Sequence, residues 1–324
     1  MHTLLFNAPL VAQVVLIAGG TGLALFAALG LFTLSQVVFR PRASTEFART
    51  TCTENGEITL EFLARKQRHF FISSPHGYRI HCVEIQSSPW NGTDDTRPVA
   101  IFCHGHSWTW HGQIKYMNEY LSRGYRVIAY DHRAHGESGG RACTYGFYEK
   151  DDLGAVIDAV TEPASAPVIL CGESMGAATI LEYRPDDPRI AARVCDCGFS
   201  DLRRVLLQHL LNGGLPEPIG TALLSAGSVF CTLFPGFPFS AVSPVRSAEH
   251  MSSPVCILHG KLDKTAPVSM AYELFEALRR SPAAAGHELH IFDQAAHAKS
   301  IASEPERYSH IIAQFLDRTL ALTS

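Results

Sequence analysis

The chain has 324 residues, long for one ordinary domain and short for two; with 46% apolar and 18% charged residues it can bury a large core, which excludes disorder and collagen-like repeats. Its formal charge is −4, but residues 1–50 carry +2 (Arg40, Arg42 and Arg49 against Glu46), so the remainder carries −6. That balance is poor material for a phosphate-gripping surface, and no nucleic acid partner is expected.

From the N-terminus, no residue before Arg40 is formally charged, and residues 10–38 are dominated by Leu, Val, Ile, Ala, Phe and Gly. About 20 apolar residues suffice to cross a bilayer core. The stretch is too long for a secretory apolar region and has no Lys or Arg before it, so a single transmembrane helix over 10–38 is expected; a buried core helix or an unusual signal peptide is the alternative. Arg40, Arg42 and Arg49 follow it directly, which by the positive-inside rule puts the bulk of the chain on the cytoplasmic side. All nine cysteines lie after residue 50, with Cys103, Cys171, Cys195 and Cys256 inside apolar runs and no CxxC pair. They read as packing thiols in a reducing compartment.

Residues 39–68 are polar and mixed in sign and read as a connector. The rest, 69–324, reads as one domain. Phe70–Ser73 and Tyr78–Gln86 flank Pro75-His76-Gly77, a hairpin signal. Short apolar runs at Val99–Cys103, Val127–Tyr130, Val168–Cys171, Arg193–Cys197, Val255–His259 and Leu289–Phe292 then alternate with helical patterns. Strands alternating with helices imply βαβ units and a mainly parallel sheet with helices on both faces, an α/β fold. Residues 199–248 break the alternation with Gly213-Gly214, Pro216, Pro218, Pro235 and Pro238 and with Phe230, Phe234, Phe237 and Phe239. The segment reads as a small inserted cap. Its phenylalanines either pack the cap onto the body or line an apolar pocket.

Gly172-Glu173-Ser174-Met175-Gly176 is a G-x-S-x-G pattern that follows a strand and precedes a helix. Such a serine sits on a sharp turn, which needs the small residues Gly172 and Gly176 where strand and helix approach. The amide of Met175, at the helix start, can then face a developing oxyanion. The pattern alone arises by chance in about one in ten chains of this length. Gly136-Glu137-Ser138-Gly139-Gly140 matches too, but it lies six residues past its strand and leads into no helix. Ser174 is therefore the candidate nucleophile and Ser138 a loop residue.

A serine nucleophile needs a base and a group to orient it. His297 follows the last expected strand, and Asp263 follows the strand before it, so in a parallel sheet both reach the edge that carries Ser174. Asp196, Asp201 and Asp293 are rival acids. Gly105 in His104-Gly105-His106 allows a tight bend that offers the amide of His106 as a second oxyanion donor. The rival reading of that His-x-His, a metal site, lacks further ligands at metal spacing. No metal and no organic cofactor are expected.

Taken in order, His104-Gly105, the loop Asp131-His132-Arg133-Ala134-His135-Gly136-Glu137-Ser138, the elbow Gly172–Gly176, Gly260-Lys261-Leu262-Asp263-Lys264-Thr265-Ala266-Pro267 and His297 resemble the α/β-hydrolase superfamily over roughly residues 70–320. The chain is most similar to the serine-aminopeptidase-type branch, with its monoacylglycerol-lipase-like and feruloyl-esterase-like members. Ala134 stands where that family usually has glycine. The resemblance implies a serine hydrolase with no required cofactor. The reading is an enzyme at a membrane cleaving a small acyl ester or thioester, with lipid-derived esters among the candidates, through Ser174, Asp263 and His297. A peptidase or amidase with the same residues is the alternative, and a non-catalytic anchored binding module the alternative of another class.

Overall fold

The structure is a computed structural model that describes residues 8–86, 97–161 and 166–321. A long helix, α1 (Ala8–Val37), precedes two short ones, α2 (Thr45–Glu54) and α3 (Leu60–Leu63). The hairpin β1 (Gln67–Ser73) and β2 (Arg79–Ile85) leads into β3 (Val99–Cys103), α4 (Ile114–Ser122), β4 (Arg126–Tyr130), α5 (Glu149–Val160), β5 (Val168–Glu173), α6 (Met175–Glu182) and β6 (Ile190–Asp196). Then come α7 (Leu202–Asn212), α8 (Glu217–Leu233), α9 (Pro244–Ala248), β7 (Val255–Gly260), α10 (Val268–Leu278), β8 (Glu288–Phe292), α11 (Ser300–Ser303) and α12 (Pro305–Ala321).

The strands form one eight-stranded sheet in the order β1-β2-β4-β3-β5-β6-β7-β8. β1, β2 and β4 pair antiparallel in turn, and every pair from β4 to β8 is parallel. β3, β5 and β7 are buried along their whole length, as continuous apolar runs must be when helices cover both faces. One face packs on α4 and α12 through Phe102, Met117, Tyr120, Phe315 and Leu316. The other packs on α5, α6 and α10 through Leu153, Ile157, Ile180, Leu181 and Leu274. Register aligns Cys103 with Gly172, Glu173 with Asp196, and Gly260 with Phe292, so the loops after these strands leave from one edge.

Two segments carry more structure than their sequence pattern indicates. The stretch 39–68 holds α2 and α3. Ser44 caps α2 by accepting the amide of Phe47 (3.2 Å), Thr59 caps α3 in the same way, and Cys52, Ile58 and Phe62 are buried in the main core. The sheet also begins at Gln67, inside the expected connector. Within 199–248, α7 packs on α8 and α8 lies along α1, whereas α9 packs on α6 and α10.

α1 is more than a tether. Its stretch Gly19–Val37 has a mean hydropathy of 1.5 and is long and apolar enough to cross a membrane. Its last turns bury Leu34, Val37 and Val38 against Phe199, Leu224 and Phe239. The helix end is fastened to the body: Tyr145 Oη and the amide of Cys143 donate to the carbonyls of Val37 and Val38 (both 3.1 Å), and Arg42 also donates to Val38 (2.7 Å). These donors satisfy carbonyls that a helix C-terminus leaves without partners.

Candidate active site

The β5–α6 turn holds Ser174 at φ 54°, ψ −110°, a strained conformation for a residue with a side chain. The glycines two residues either side permit it. A Cβ at Gly172 would strike the Gly176 backbone, and one at Gly176 would strike the carbonyl of Cys103. Ser174 Oγ lies 3.0 Å from His297 Nε2, and His297 Nδ1 donates to Asp263 Oδ2 at 2.7 Å. Asp263 is buried, and its other oxygen accepts the amides of Thr265 (2.8 Å) and Ala266 (2.9 Å), which fix the carboxylate. The donation to Asp263 leaves Nε2 as the acceptor for the Ser174 hydroxyl. Burial pulls the His297 pKa down, but the hydrogen bond and charge of Asp263 outweigh it and set it above the usual histidine value.

The rival acids are otherwise engaged. Asp201 caps α7 through the amide of Arg204, and exposed Asp293 pairs with Lys261 at 2.8 Å. Asp196 is buried beside Glu173 and takes a hydrogen bond from Ser300; burial first, and then the Glu173 charge, pushes its pKa up to about 7. Ser138 donates to the Asp131 carbonyl (2.6 Å) and accepts the amide of His81 (2.9 Å), a loop fastening away from Ser174.

His106 and Met175 line the cavity beside Ser174, and neither amide donates to another group among the described residues. Gly105 lets the loop lie on the elbow, since a Cβ there would stand 3.1 Å from a Glu173 carboxylate oxygen. The histidines around it are fasteners. His104 donates from Nδ1 to the Gly105 carbonyl (2.7 Å) and accepts the amide of His132 (2.9 Å). His135 accepts the amide of Ser107 (3.1 Å) and donates to the carbonyl of Arg133 (2.8 Å). His106 stacks on Tyr145 and donates to its hydroxyl (3.1 Å), which in turn donates to Val37 of α1. Burial, then Arg42 and Arg40, push the His106 pKa down to about 3, so the ring is neutral. His106, His135 and Cys143 are close enough to hold a metal ion, but the ring nitrogens of both histidines are already in hydrogen bonds.

Sequence reasoning missed the support behind the elbow. Lys115 of α4 pairs with Glu173 at 2.7 Å and donates to the carbonyl of Ala298 at 3.5 Å, thereby joining the residue before Ser174 to the residue after His297. Tyr116 also donates to Glu173 (2.7 Å). Burial alone would raise the Glu173 carboxyl, but Lys115 outweighs it and holds the group below the usual glutamate range. One signal was available: an acid inside an otherwise apolar, fully buried strand requires a cation.

Ser174 and His297 open into a cavity of about 740 Å³. Its apolar wall comes from Phe32 and Val37 of α1, Val205, Leu206 and Leu210 of α7, and Leu223 and Leu224 of α8. Polar lining comes from Thr51, Asn55, Glu57, Lys115 and Lys299 and, on the side of that wall, from Gln36, Arg40 and His209. The cap phenylalanines do not line it. Phe237 and Phe239 are buried and join cap to body, Phe230 packs on Gly30 of α1, and Phe234 is exposed.

Comparison with known proteins gives matches over most of the chain. Residues 94–212 match the family "Serine aminopeptidase, S33", and residues 236–323 match the prolyl oligopeptidase family. An uncharacterised Bacillus subtilis protein, YqkD, is 31% identical over 309 residues, 94% of this chain and 97% of its own length. The rat lysophosphatidylserine lipase ABHD12 is 26% identical over 203 residues, 55% of this chain and 44% of the lipase. Among solved structures, the Pyrococcus furiosus esterase Pf2001 superposes with a TM-score of 0.65 at 22% identity, covering 87% of this chain and 98% of the esterase. Mouse α/β-hydrolase domain-containing protein 10 gives 0.56 at 17% identity, covering 79% and 100%.

Proposed function

The chain belongs to the α/β-hydrolase superfamily, in the family of the Bacillus subtilis protein, and from that premise we propose that it is a membrane-anchored serine hydrolase of carboxylic esters or thioesters. The observation that carries the reading is the chain of hydrogen bonds Ser174–His297–Asp263 at the floor of a largely apolar cavity. Ser174 Oγ attacks the acyl carbonyl as its proton passes to His297 Nε2. Asp263 orients the imidazole and stabilises the cation that forms. The amides of His106 and Met175 receive the oxyanion, His297 returns the proton to the leaving oxygen or sulfur, and water repeats the cycle on the acyl-enzyme. All of this is acid–base and nucleophilic chemistry supplied by side chains and backbone.

An apolar wall interspersed with polar groups suits an amphiphilic ester derived from lipid, and the lipase named among the relatives supports that substrate class. α1 would anchor the enzyme as a single span, with Arg40, Arg42 and Arg49 favouring a cytoplasmic catalytic domain. The names of the two matched families favour a second reading, a peptidase or amidase. Against it, the acids of the cavity, Glu173 and Glu57, face Lys115 and Lys299 and are poorly placed to receive a substrate ammonium. Turnover by the full chain of p-nitrophenyl esters of two to twelve carbons beside aminoacyl-p-nitroanilides separates the two. The ester reading expects hydrolysis that improves with acyl length; activity confined to anilides would overturn it.

A further inference from the structure

α8 lies antiparallel along the last half of α1. The Gly30 backbone of α1 meets the Phe230 ring, and Gly227 of α8 meets Thr33. Phe26 packs on Phe230 (ring centroids 6.2 Å), and Phe230 stacks on Phe234 (6.2 Å). The C-terminal end of α8 therefore sits level with Phe26, well before the end of α1. It is open there: Val229, Leu233 and Phe234 are 46%, 69% and 64% exposed, beside Leu23 at 70%. No charged residue occurs between Glu217 and Arg246, so no charge holds this end of the cap in water.

Length arithmetic says what covers this face. α1 has 30 residues, about 45 Å of helix, whereas a hydrocarbon core is about 30 Å thick and takes about 20 of them. Because Leu34 and Val37 are buried against the body, the span lies toward the N-terminal end of α1: about 20 residues from Ala8 end near Ala28, beside Phe26, where Phe230 meets α1. Phe32, one turn further on, is 60% exposed and also lines the active-site cavity. We propose that the C-terminal end of α8 docks into the same leaflet that α1 crosses, so that the cavity mouth at Phe32 opens onto the membrane surface and a lipid-borne ester enters from the leaflet. The proposal rests on reading α1 as a membrane span.

The test uses the full chain in phosphatidylcholine–phosphatidylglycerol vesicles carrying nitroxide-labelled lipid. A fluorophore is attached at Leu233→Cys, at Leu23→Cys, or at Ser122→Cys, which lies at the opposite edge of the sheet; all nine native thiols are buried and should stay unlabelled. The proposal expects lipid quenching at 23 and at 233, at comparable strength, and none at 122. Quenching at 23 alone, with 233 reached by aqueous iodide, overturns the docking of α8 and leaves the span standing. Position 233 shielded from both quenchers would mean that a second copy of the chain covers it, which also overturns the proposal. Quenching at neither 23 nor 233 removes the span reading and the proposal with it.

Discussion

At the sheet edge, Ser174, Asp263 and His297 hang on loops fixed by the strands beneath them, whereas the facing wall of the same cavity is made by Phe32, Leu210 and Leu224 from helices outside the sheet. The first region works through directional bonds of 2.7–3.0 Å, held by a strained turn and two backbone amides on Asp263. The second works through apolar contact, which has no preferred direction. Substitutions in the first should act as switches, and those in the second as graded adjustments.

The sharpest break in that comparison is Asp263→Asn, which should lower kcat on a short ester by about 10⁴-fold through the wrong imidazole tautomer. Asp196→Asn should cost far less, because Asp196 lies beside Glu173 and makes no hydrogen bond to His297 among the described residues. A kcat comparison of the two variants decides the acid. In the wild type, kcat/KM should fall as pH drops through a value above the ordinary histidine pKa, since the base must be neutral and Asp263 raises it. Residual activity of Asp263→Asn should lose its acid limb at lower pH, because the raising charge is gone.

Next in size is Lys115→Met, which leaves Glu173 buried without its cation and should cost about 3–5 kcal/mol of stability. Adding Glu173→Gln should recover much of that loss in urea denaturation. No recovery would mean that Lys115 acts through Ala298 alone.

Smaller effects belong to the apolar wall. At about 0.8 kcal/mol per buried methylene, kcat/KM should rise up to about four-fold per acyl carbon until the cavity is full. Leu210→Ala or Leu223→Ala should flatten that rise while sparing acetate esters. A profile unchanged by either would show that the acyl chain lies elsewhere. Smallest is Ala134→Gly: Ala134 sits at φ 58°, so glycine should stabilise the fold by about 0.5–1 kcal/mol, read as an upward shift in Tm.

The same division governed what the sequence revealed. The meeting of Ser174, Asp263 and His297 was legible because each follows a short apolar strand, and parallel strands deliver such loops to one edge. The glycine expected at position 134 has its reason in that left-handed φ. Lys115 and Glu173 escaped because their meeting depends on how α4 crosses the sheet, which no local pattern records. α2 escaped because its single buried stripe, Ala48 and Cys52, is weak in an otherwise polar stretch. The cap phenylalanines announced burial but not direction. The structure sends Phe237 and Phe239 into the body and Phe234 outward, and gives the cavity wall to leucines and to the end of α1.

The central claim is that Ser174 is the nucleophile of an acyl-enzyme cycle. It is tested most directly by treating the full chain with a fluorophosphonate and mapping the labelled peptide by mass spectrometry. The account predicts a single adduct on Ser174, lost in Ser174→Ala and kept in Ser138→Ala. An adduct on Ser138, or labelling that persists without the Ser174 hydroxyl, would contradict it.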